Sequence, residues 1–252
     1  MKAMVLAAGL GTRLRPLTET IPKCLVPLAG RPLLDWTLRW LSSCGITECM
    51  INLHYLPRKV EEFAGNGSGY GIKLSYSHEP ELLGTAGAVK KTETFFREPF
   101  FVIYSDNFSQ WDLRALSEEF YRYRAAGVMA VHWREDVMQS GMIEFDGTGK
   151  IRRIVEKPKS DAVTSHFVNA GFYFLDPIVF DYIPPGQFCD FAYHVFPRML
   201  QDRQSLYAAQ MDRPIIGIDT KESYERANQL AAQFLNQTSG SEFESHSRPT
   251  LT

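Results

Sequence analysis

The chain has 252 residues, 44% of them hydrophobic and 22% charged, with a formal net charge of −2. That is long enough for one large α/β domain with its own core, and the weakly acidic balance excludes an overall basic field for nucleic acid. No apolar run is long enough to span a membrane, and Cys24, Cys44, Cys49 and Cys189 lack C-x-x-C spacing, so they read as reduced, buried thiols of a cytoplasmic protein.

Met4 to Ala8 reads as a buried strand stopped by Gly9. The short apolar run there flows into Gly11-Thr12-Arg13 without a cleavage site, so it does not read as a signal peptide. Residues 10–30, rich in Gly, Pro, Thr and basic side chains, form a long functional loop. Leu34, Leu38 and Leu41 recur at helical spacing, with Gly45 as the stop. Strands are expected over Glu48–His54 and Ile72–Ser77, with a short helix from Pro57 between them. A helix over Thr85–Phe95 follows, then the buried strand Phe100–Tyr104 and a helix marked by Leu113, Leu116 and Phe120. This alternation predicts a parallel sheet covered on both faces.

The second half is richer in strands: Val128–Trp133, Gly141–Phe145, Ile151–Val155, Gly171–Phe174, Leu206–Met211 and Ile215–Ile218. It reads as a mixed extension of the same sheet, carrying a second substrate. Short helices are expected at Asp176-Pro177 and over Asp190–Leu200, and an amphipathic helix over Thr220–Leu235 closes the domain. Residues 1–236 form one domain, and 237–252 read as a disordered tail without apolar periodicity. Trp36 and Trp40 read as core or as a contact in a homo-oligomer. His54, His132 and His194 read as packed or surface histidines rather than ligands.

The chemistry concentrates at Leu6-Ala7-Ala8-Gly9-Leu10-Gly11-Thr12-Arg13-Leu14 and at Pro22-Lys23. A strand running into small residues exposes backbone N–H groups of Ala8, Gly9, Gly11 and Thr12 to phosphate oxygens. Arg13 adds a planar fork and Lys23 a compact charge. A dinucleotide fingerprint needs glycine where Leu14 stands, and a Walker loop needs Gly-Lys-Ser/Thr, which does not occur. Gly84-Thr85-Ala86-Gly87, after Glu79-Pro80, offers a glycine turn entering a helix, a surface suited to base and ribose. Asp106 ends a buried strand, where ligands of open α/β sheets gather, and its carboxylate suits Mg²⁺.

Taken together, Ala-Ala-Gly-x-Gly-Thr-Arg-Leu-x-Pro-Leu-Thr, then Pro-Lys and Gly30-Arg31-Pro32-Leu33, resemble the sugar-1-phosphate nucleotidylyltransferases. The resemblance extends to about residue 228. It is nearest to short members such as mannose-1-phosphate and heptose-1-phosphate guanylyltransferases and N-acetylmuramate-1-phosphate uridylyltransferases. It implies a three-layer, Rossmann-like α/β nucleotidyltransferase fold with a mixed, mainly parallel central sheet. It also implies a nucleoside triphosphate and a sugar 1-phosphate as partners and Mg²⁺ as cofactor, with no nucleic acid and no membrane.

By the same resemblance, Arg13 and Lys23 are catalytic and Asp106 holds the metal. Glu79, Gly84 and Thr85 join the loop in binding nucleotide. Gly-Thr-Ala-Gly is similar to the guanylyltransferase version of that segment, and Glu79 and Leu82 stand where pyrimidine-using relatives often place glutamine. Val155-Glu156-Lys157-Pro158 resembles the sugar-phosphate site, which Gly141 and Asn169 complete. One departure stands out: the family's Asp-x-Gly-Thr is Gly217-Ile218-Asp219-Thr220 here. In an extended segment Asp219 projects to the same side as position 217, about 7 Å along, and is expected to serve as the second metal ligand. The alternatives left open are a weakened or altered metal site at Gly217, a relative using UTP or CTP, a non-sugar phosphate acceptor, and a nucleotide-sugar sensor without catalysis.

Overall fold

The computed structural model describes residues 1–244, with side chains described through residue 236. Among the described residues, thirteen strands and six α-helices follow in chain order. The first half holds β1 (Lys2–Leu6), β2 (Pro27–Leu28), β3 (Arg31–Pro32), α1 (Leu33–Ser43), β4 (Glu48–Leu53), α2 (Pro57–Ala64), β5 (Lys73–His78), α3 (Gly84–Lys91), β6 (Phe100–Tyr104), β7 (Asn107–Ser109) and α4 (Arg114–Tyr123). The second half holds β8 (Gly127–Trp133), β9 (Gly141–Phe145), β10 (Ile151–Glu156), β11 (Phe167–Leu175), α5 (Phe196–Gln201), β12 (Leu206–Gln210), β13 (Ile215–Gly217) and α6 (Lys221–Glu244).

Nine strands form one mixed sheet in the order β10-β9-β11-β6-β1-β4-β5, with β8 attached to β11 and β12 to β8. β6, β1, β4 and β5 run parallel. Their carboxyl ends therefore share one edge, where the loops after Leu6, Leu53, His78 and Tyr104 meet. β11 runs antiparallel to β6, so its amino end, with Asn169, reaches that same edge. The sheet is buried on both faces: Ala3 and Val5 of β1 enter one apolar cluster, and Met4 enters the other. Such central strands read as continuous hydrophobic runs.

α6 covers a third cluster through Ala227 and Ala231, against Leu14, Val26, Leu28, Leu33, Trp36 and Phe108. Trp36 and Trp40 are both buried, each donating its indole N–H to a backbone carbonyl. They are core residues. All four cysteines are free and buried, and burial pushes the thiols of Cys24 and Cys49 up to about 12. α6 runs on to Glu244, eight residues past the expected boundary at 236. The tail expected over 237–252 is thus helical in its first part, and 245–252 lie outside the described residues. Among the described residues no helix is long and apolar enough to cross a membrane.

Candidate active site

β1 stops at Leu6 because the next amide leaves the ladder: Ala7 N–H donates to Asn52 Oδ1 at 2.8 Å. The chain then winds through Gly9 and Gly11. Gly11 has φ +62°, and an added Cβ would stand 3.0 Å from Thr18 Cγ2 and 3.2 Å from Lys23 Cβ. Glycine is required there by conformation and by space. The Thr18 hydroxyl donates to the Gly11 carbonyl at 2.7 Å. The turn therefore folds back on the segment that carries Lys23.

Arg13 and Lys23 face one cleft of about 290 Å³, lined also by Gly9, Gly11, Thr12, Leu82, Asp106 and Asp219. Arg13 is exposed and donates from Nη2 to Asp219 Oδ1 at 2.8 Å. Lys23 is nearly buried, and its ammonium bridges Asp106 Oδ2 at 2.7 Å and Asp219 Oδ1 at 2.9 Å. Burial alone would lower the Lys23 pKa. The two carboxylates outweigh it and hold the ammonium above its ordinary value. Burial likewise opposes ionisation of Asp219, but Lys23, Arg13 and Lys157 together hold its carboxyl below the usual range. The charges at positions 13, 23, 106 and 219 thus line one cleft, and Lys157 acts on Asp219 electrostatically.

Asp219 arrives there through a small second sheet. β13 pairs with β7, setting Gly217 opposite Asn107, and Ile218 N–H donates to the Asp106 carbonyl at 2.8 Å. A Cβ built on Gly217 would lie 3.6 Å from Asp219 Oδ2. The Asp219 carboxylate therefore folds back beside position 217, closer than the 7 Å offset of an extended segment suggests. Two carboxylates converging on one cationic point fit a Mg²⁺ that takes one or two protein carboxylates and completes its shell with phosphate and water. Among the described residues there is no larger His, Cys, Asp or Glu cluster of the kind a protein-enclosed metal needs.

The segment after β5 is tied down by hydrogen bonds within the protein. Glu79 is buried, 3% exposed, and both its carboxylate oxygens are engaged: Oε1 accepts from Asn52 Nδ2 at 2.7 Å and Oε2 from Leu83 N–H at 3.0 Å. Its carboxylate is turned inward. Thr85 donates its hydroxyl to Asp190 Oδ1 at 2.9 Å and accepts from Phe191 N–H at 3.0 Å. Gly84, at φ +73°, would place a Cβ 2.6 Å from the Cys189 carbonyl oxygen. Gly84 and Thr85 therefore seat α3 against residues 189–191, and exposed Leu82 of the same segment lines the cleft wall.

Asn52 was not singled out from the sequence, although a buried amide ending an apolar strand was the available signal. It joins the glycine loop to Glu79. Asn52→Ala leaves the Ala7 amide and a Glu79 oxygen without their partner, each unmade bond costing about 1–3 kcal/mol. We expect a clear fall in the denaturant midpoint together with weaker ligand binding at the glycine loop.

On the other side, Gly141, Glu156 and Asn169 form a second group. A Cβ on Gly141 would meet Glu156 Oε2 at 2.6 Å and the Asn169 Cβ at 3.5 Å. Glycine at 141 thus makes room for the Glu156 carboxylate. Lys157 adopts the left-handed region at φ +49°, which turns the chain at the end of β10. Asn169 and Gly171 lie at a break in the β11–β8 register, a bulge of the kind that re-aims side chains. Asn169 Oδ1 accepts from Gly171 N–H at 2.9 Å, and its Nδ2 donates to Tyr173 Oη at 2.7 Å.

Burial raises the Glu156 pKa, Asp190 adds to the rise, and Lys157 opposes it. A raised carboxyl pKa favours folding at low pH, and that contribution is lost as pH rises through the folded value. Function runs the other way if ionised Glu156 accepts hydrogen bonds from the ligand. Binding of such a ligand should then weaken on acidification, with a midpoint above the ordinary glutamate range, and Glu156→Gln should abolish that dependence.

A parallel-sheet edge that gathers a glycine loop, fixed cations and paired carboxylates defines a phosphate-handling α/β protein. The chain belongs to the nucleotidyl transferase family, which matches residues 2–232. It is 33% identical over 244 residues to UTP–glucose-1-phosphate uridylyltransferase of Synechocystis sp., covering 90% of this chain and 62% of that protein. It is 34% identical over 214 residues to mannose-1-phosphate guanylyltransferase catalytic subunit beta of Drosophila melanogaster, covering 83% and 57%. The chain thus spans about three-fifths of the length of these curated relatives. A Bacillus anthracis structure described as a glucose-1-phosphate thymidylyltransferase superposes with a TM-score of 0.84 at 28% identity, covering 92% of this chain and 95% of that one.

Proposed function

We propose that the protein transfers a nucleoside monophosphate from a nucleoside triphosphate to a sugar 1-phosphate, releasing pyrophosphate. The observation that carries this reading is the convergence of Arg13, Lys23, Asp106 and Asp219 on one cleft, with Lys157 close by. The sugar phosphate is an anion that attacks an anion, so the reaction needs charge neutralisation and alignment more than a general base.

Lys23 stabilises the α-phosphate and Arg13 holds the leaving pyrophosphate. Lys157 places the incoming phosphate, and Glu156 and Asn169 take the sugar hydroxyls. The loop amides from Ala8 to Thr12 cradle the triphosphate. Asp106 and Asp219 would hold Mg²⁺, which supplies charge neutralisation on the phosphates. Glu79, Gly84 and Thr85 shape the nucleotide side through Asn52, Leu83 and Asp190.

Guanine is the first reading of the base, from Gly84-Thr85-Ala86-Gly87. Uracil is the second, supported by the Synechocystis relative. A pyrophosphate-release screen of four nucleoside triphosphates against a panel of sugar 1-phosphates, with and without Mg²⁺, tests the reading. A single favoured pair, active only with the metal, supports it. Silence across the whole panel rejects it.

A further inference from the structure

The glycine loop is gripped from outside by the turn between β4 and α2. Tyr55 Oη donates to the Glu19 carbonyl at 2.6 Å. Lys59 Nζ donates to the next carbonyl, that of Thr20, also at 2.6 Å. Among the described residues no other hydrogen bond reaches either carbonyl. Leu56 takes φ +50°, a sparsely populated conformation for a non-glycine residue, and Pro57 opens α2 directly after it. α2 is itself anchored in the core by Val60 and Ala64. Two side chains on fixed elements thus hold two consecutive peptide groups of a loop.

Those peptide groups lie between the two parts of the loop that face the cleft. Thr18, just before Glu19, is buried and donates its hydroxyl to the Gly11 carbonyl at 2.7 Å. Lys23 follows three residues after Thr20, and its Cβ lies 3.2 Å from the place a Cβ on Gly11 would take. Fixing residues 19 and 20 therefore fixes Thr18 over Gly11, and with it the amides and the guanidinium of positions 11–13. The same turn also serves the segment that carries Leu82 to the cleft. His54 Nδ1 donates to the Glu79 carbonyl at 2.7 Å, and Asn52 joins the Ala7 amide to the Glu79 carboxylate. Residues 52–59 thus frame both segments, and Tyr55 and Lys59 are the contacts with the loop's outer limb.

We propose that Tyr55 and Lys59 are positioning residues of the glycine loop, clasping its outer limb so that the turn from Gly11 to Arg13 is set for a triphosphate before one binds. The proposal rests on the nucleotidyl-transfer reading given above. A loop ordered in advance has less freedom to lose on binding, so its order appears as affinity. Two hydrogen bonds of ordinary strength used in this way amount to about 10-fold. The sugar side is built on other elements, with Gly141 in β9, Glu156 in β10 and Asn169 in β11, and its substrate should be indifferent to the clasp.

The test is Tyr55→Phe combined with Lys59→Met, which keeps the bodies of both side chains and removes both donors. Initial rates with the pair that the pyrophosphate screen selects should show the KM for the nucleoside triphosphate raised about 10-fold and the KM for the sugar 1-phosphate unchanged. Each single variant should show a smaller rise of the same kind, and Lys59→Arg, which keeps a donor, should stay near the wild type. Tyr76→Phe is the control: it removes a hydroxyl that donates to the Gly65 carbonyl at 2.6 Å, past the far end of α2, and should leave both constants unchanged. Amide hydrogen exchange of the ligand-free proteins should show residues 9–23 less protected in the double variant than in the wild type. An unchanged triphosphate KM, equal rises in both KM values, or unchanged exchange over 9–23 would overturn the clasp while leaving nucleotidyl transfer intact. Absence of turnover in the wild type with every pair would instead reject the nucleotidyl-transfer reading, and the exchange comparison, which needs no substrate, would still decide whether Tyr55 and Lys59 hold the loop.

Discussion

Lys23→Ala should cut turnover by about 10²–10³-fold, the usual loss when one preorganised charge at a reacting phosphoryl or acyl centre is removed. Lys23 is the least exposed cation of the site, with 11% of its side chain accessible, and it bridges both carboxylates of the cleft. A cation held in a partly dry cleft acts on phosphate more strongly than one in open water. Lys23→Arg should rescue only part of the activity, because a planar fork does not replace a point charge between two carboxylates. Steady-state kinetics check this, with thermal denaturation alongside to show that the variants fold. The ammonium has its pKa held above the ordinary lysine value. Its contribution to stability is fully present below that ordinary value and is lost only as pH rises through the folded one. Between about pH 6 and 9 the Lys23 effect should therefore be flat.

Asp219→Asn should have the second largest effect, a fall of about 10–100-fold in turnover, with a matching rise in the Mg²⁺ concentration needed for half-maximal rate. The Asp219 carboxylate takes hydrogen bonds from Arg13 and Lys23 at once, and it lies beside Gly217, where the family pattern places its aspartate. A paired variant separates position from identity. In Gly217→Asp with Asp219→Gly, the carboxylate returns to the family's position, and its Cβ would stand 3.2 Å from Asn107 Oδ1. That variant should recover much of the activity lost in Asp219→Gly alone. Failure of the paired variant together with full activity of Asp219→Asn would remove Asp219 from the site.

The phosphate loop was legible because it is local. Gly11, Arg13 and Lys23 sit within 13 residues of one another, and their turn closes on itself through Thr18. The position of Asp106 on the cleft was legible because it follows the end of a buried parallel strand. The family pattern marked Asp219 as displaced, but the sequence alone did not show that β13 would bring its carboxylate back beside Gly217. The partners of Glu79, Gly84 and Thr85 within the protein were not legible in the sequence. Their contacts come from Asn52, at the end of another strand, and from Cys189 and Asp190, more than 100 residues later.

The hydrogen bond from Tyr173 to Tyr104, 3.3 Å between the hydroxyl oxygens, was hidden because each tyrosine sits in a run of aromatic and aliphatic residues, Phe100–Tyr104 and Gly171–Phe174, that reads as plain strand core. The helix α6 was read as ending near Leu235 because apolar periodicity fades there. The backbone ladder carries it further, to Glu244.

The central claim is that this one cleft brings a sugar phosphate oxygen onto the α-phosphorus of a nucleoside triphosphate. Sugar 1-phosphate labelled with ¹⁸O in its non-bridging oxygens, followed by mass spectrometry of both products, tests it most directly. The account predicts that all the label stays with the sugar nucleotide and that pyrophosphate carries none. Label in the pyrophosphate, or release of pyrophosphate without a labelled sugar nucleotide, would contradict it.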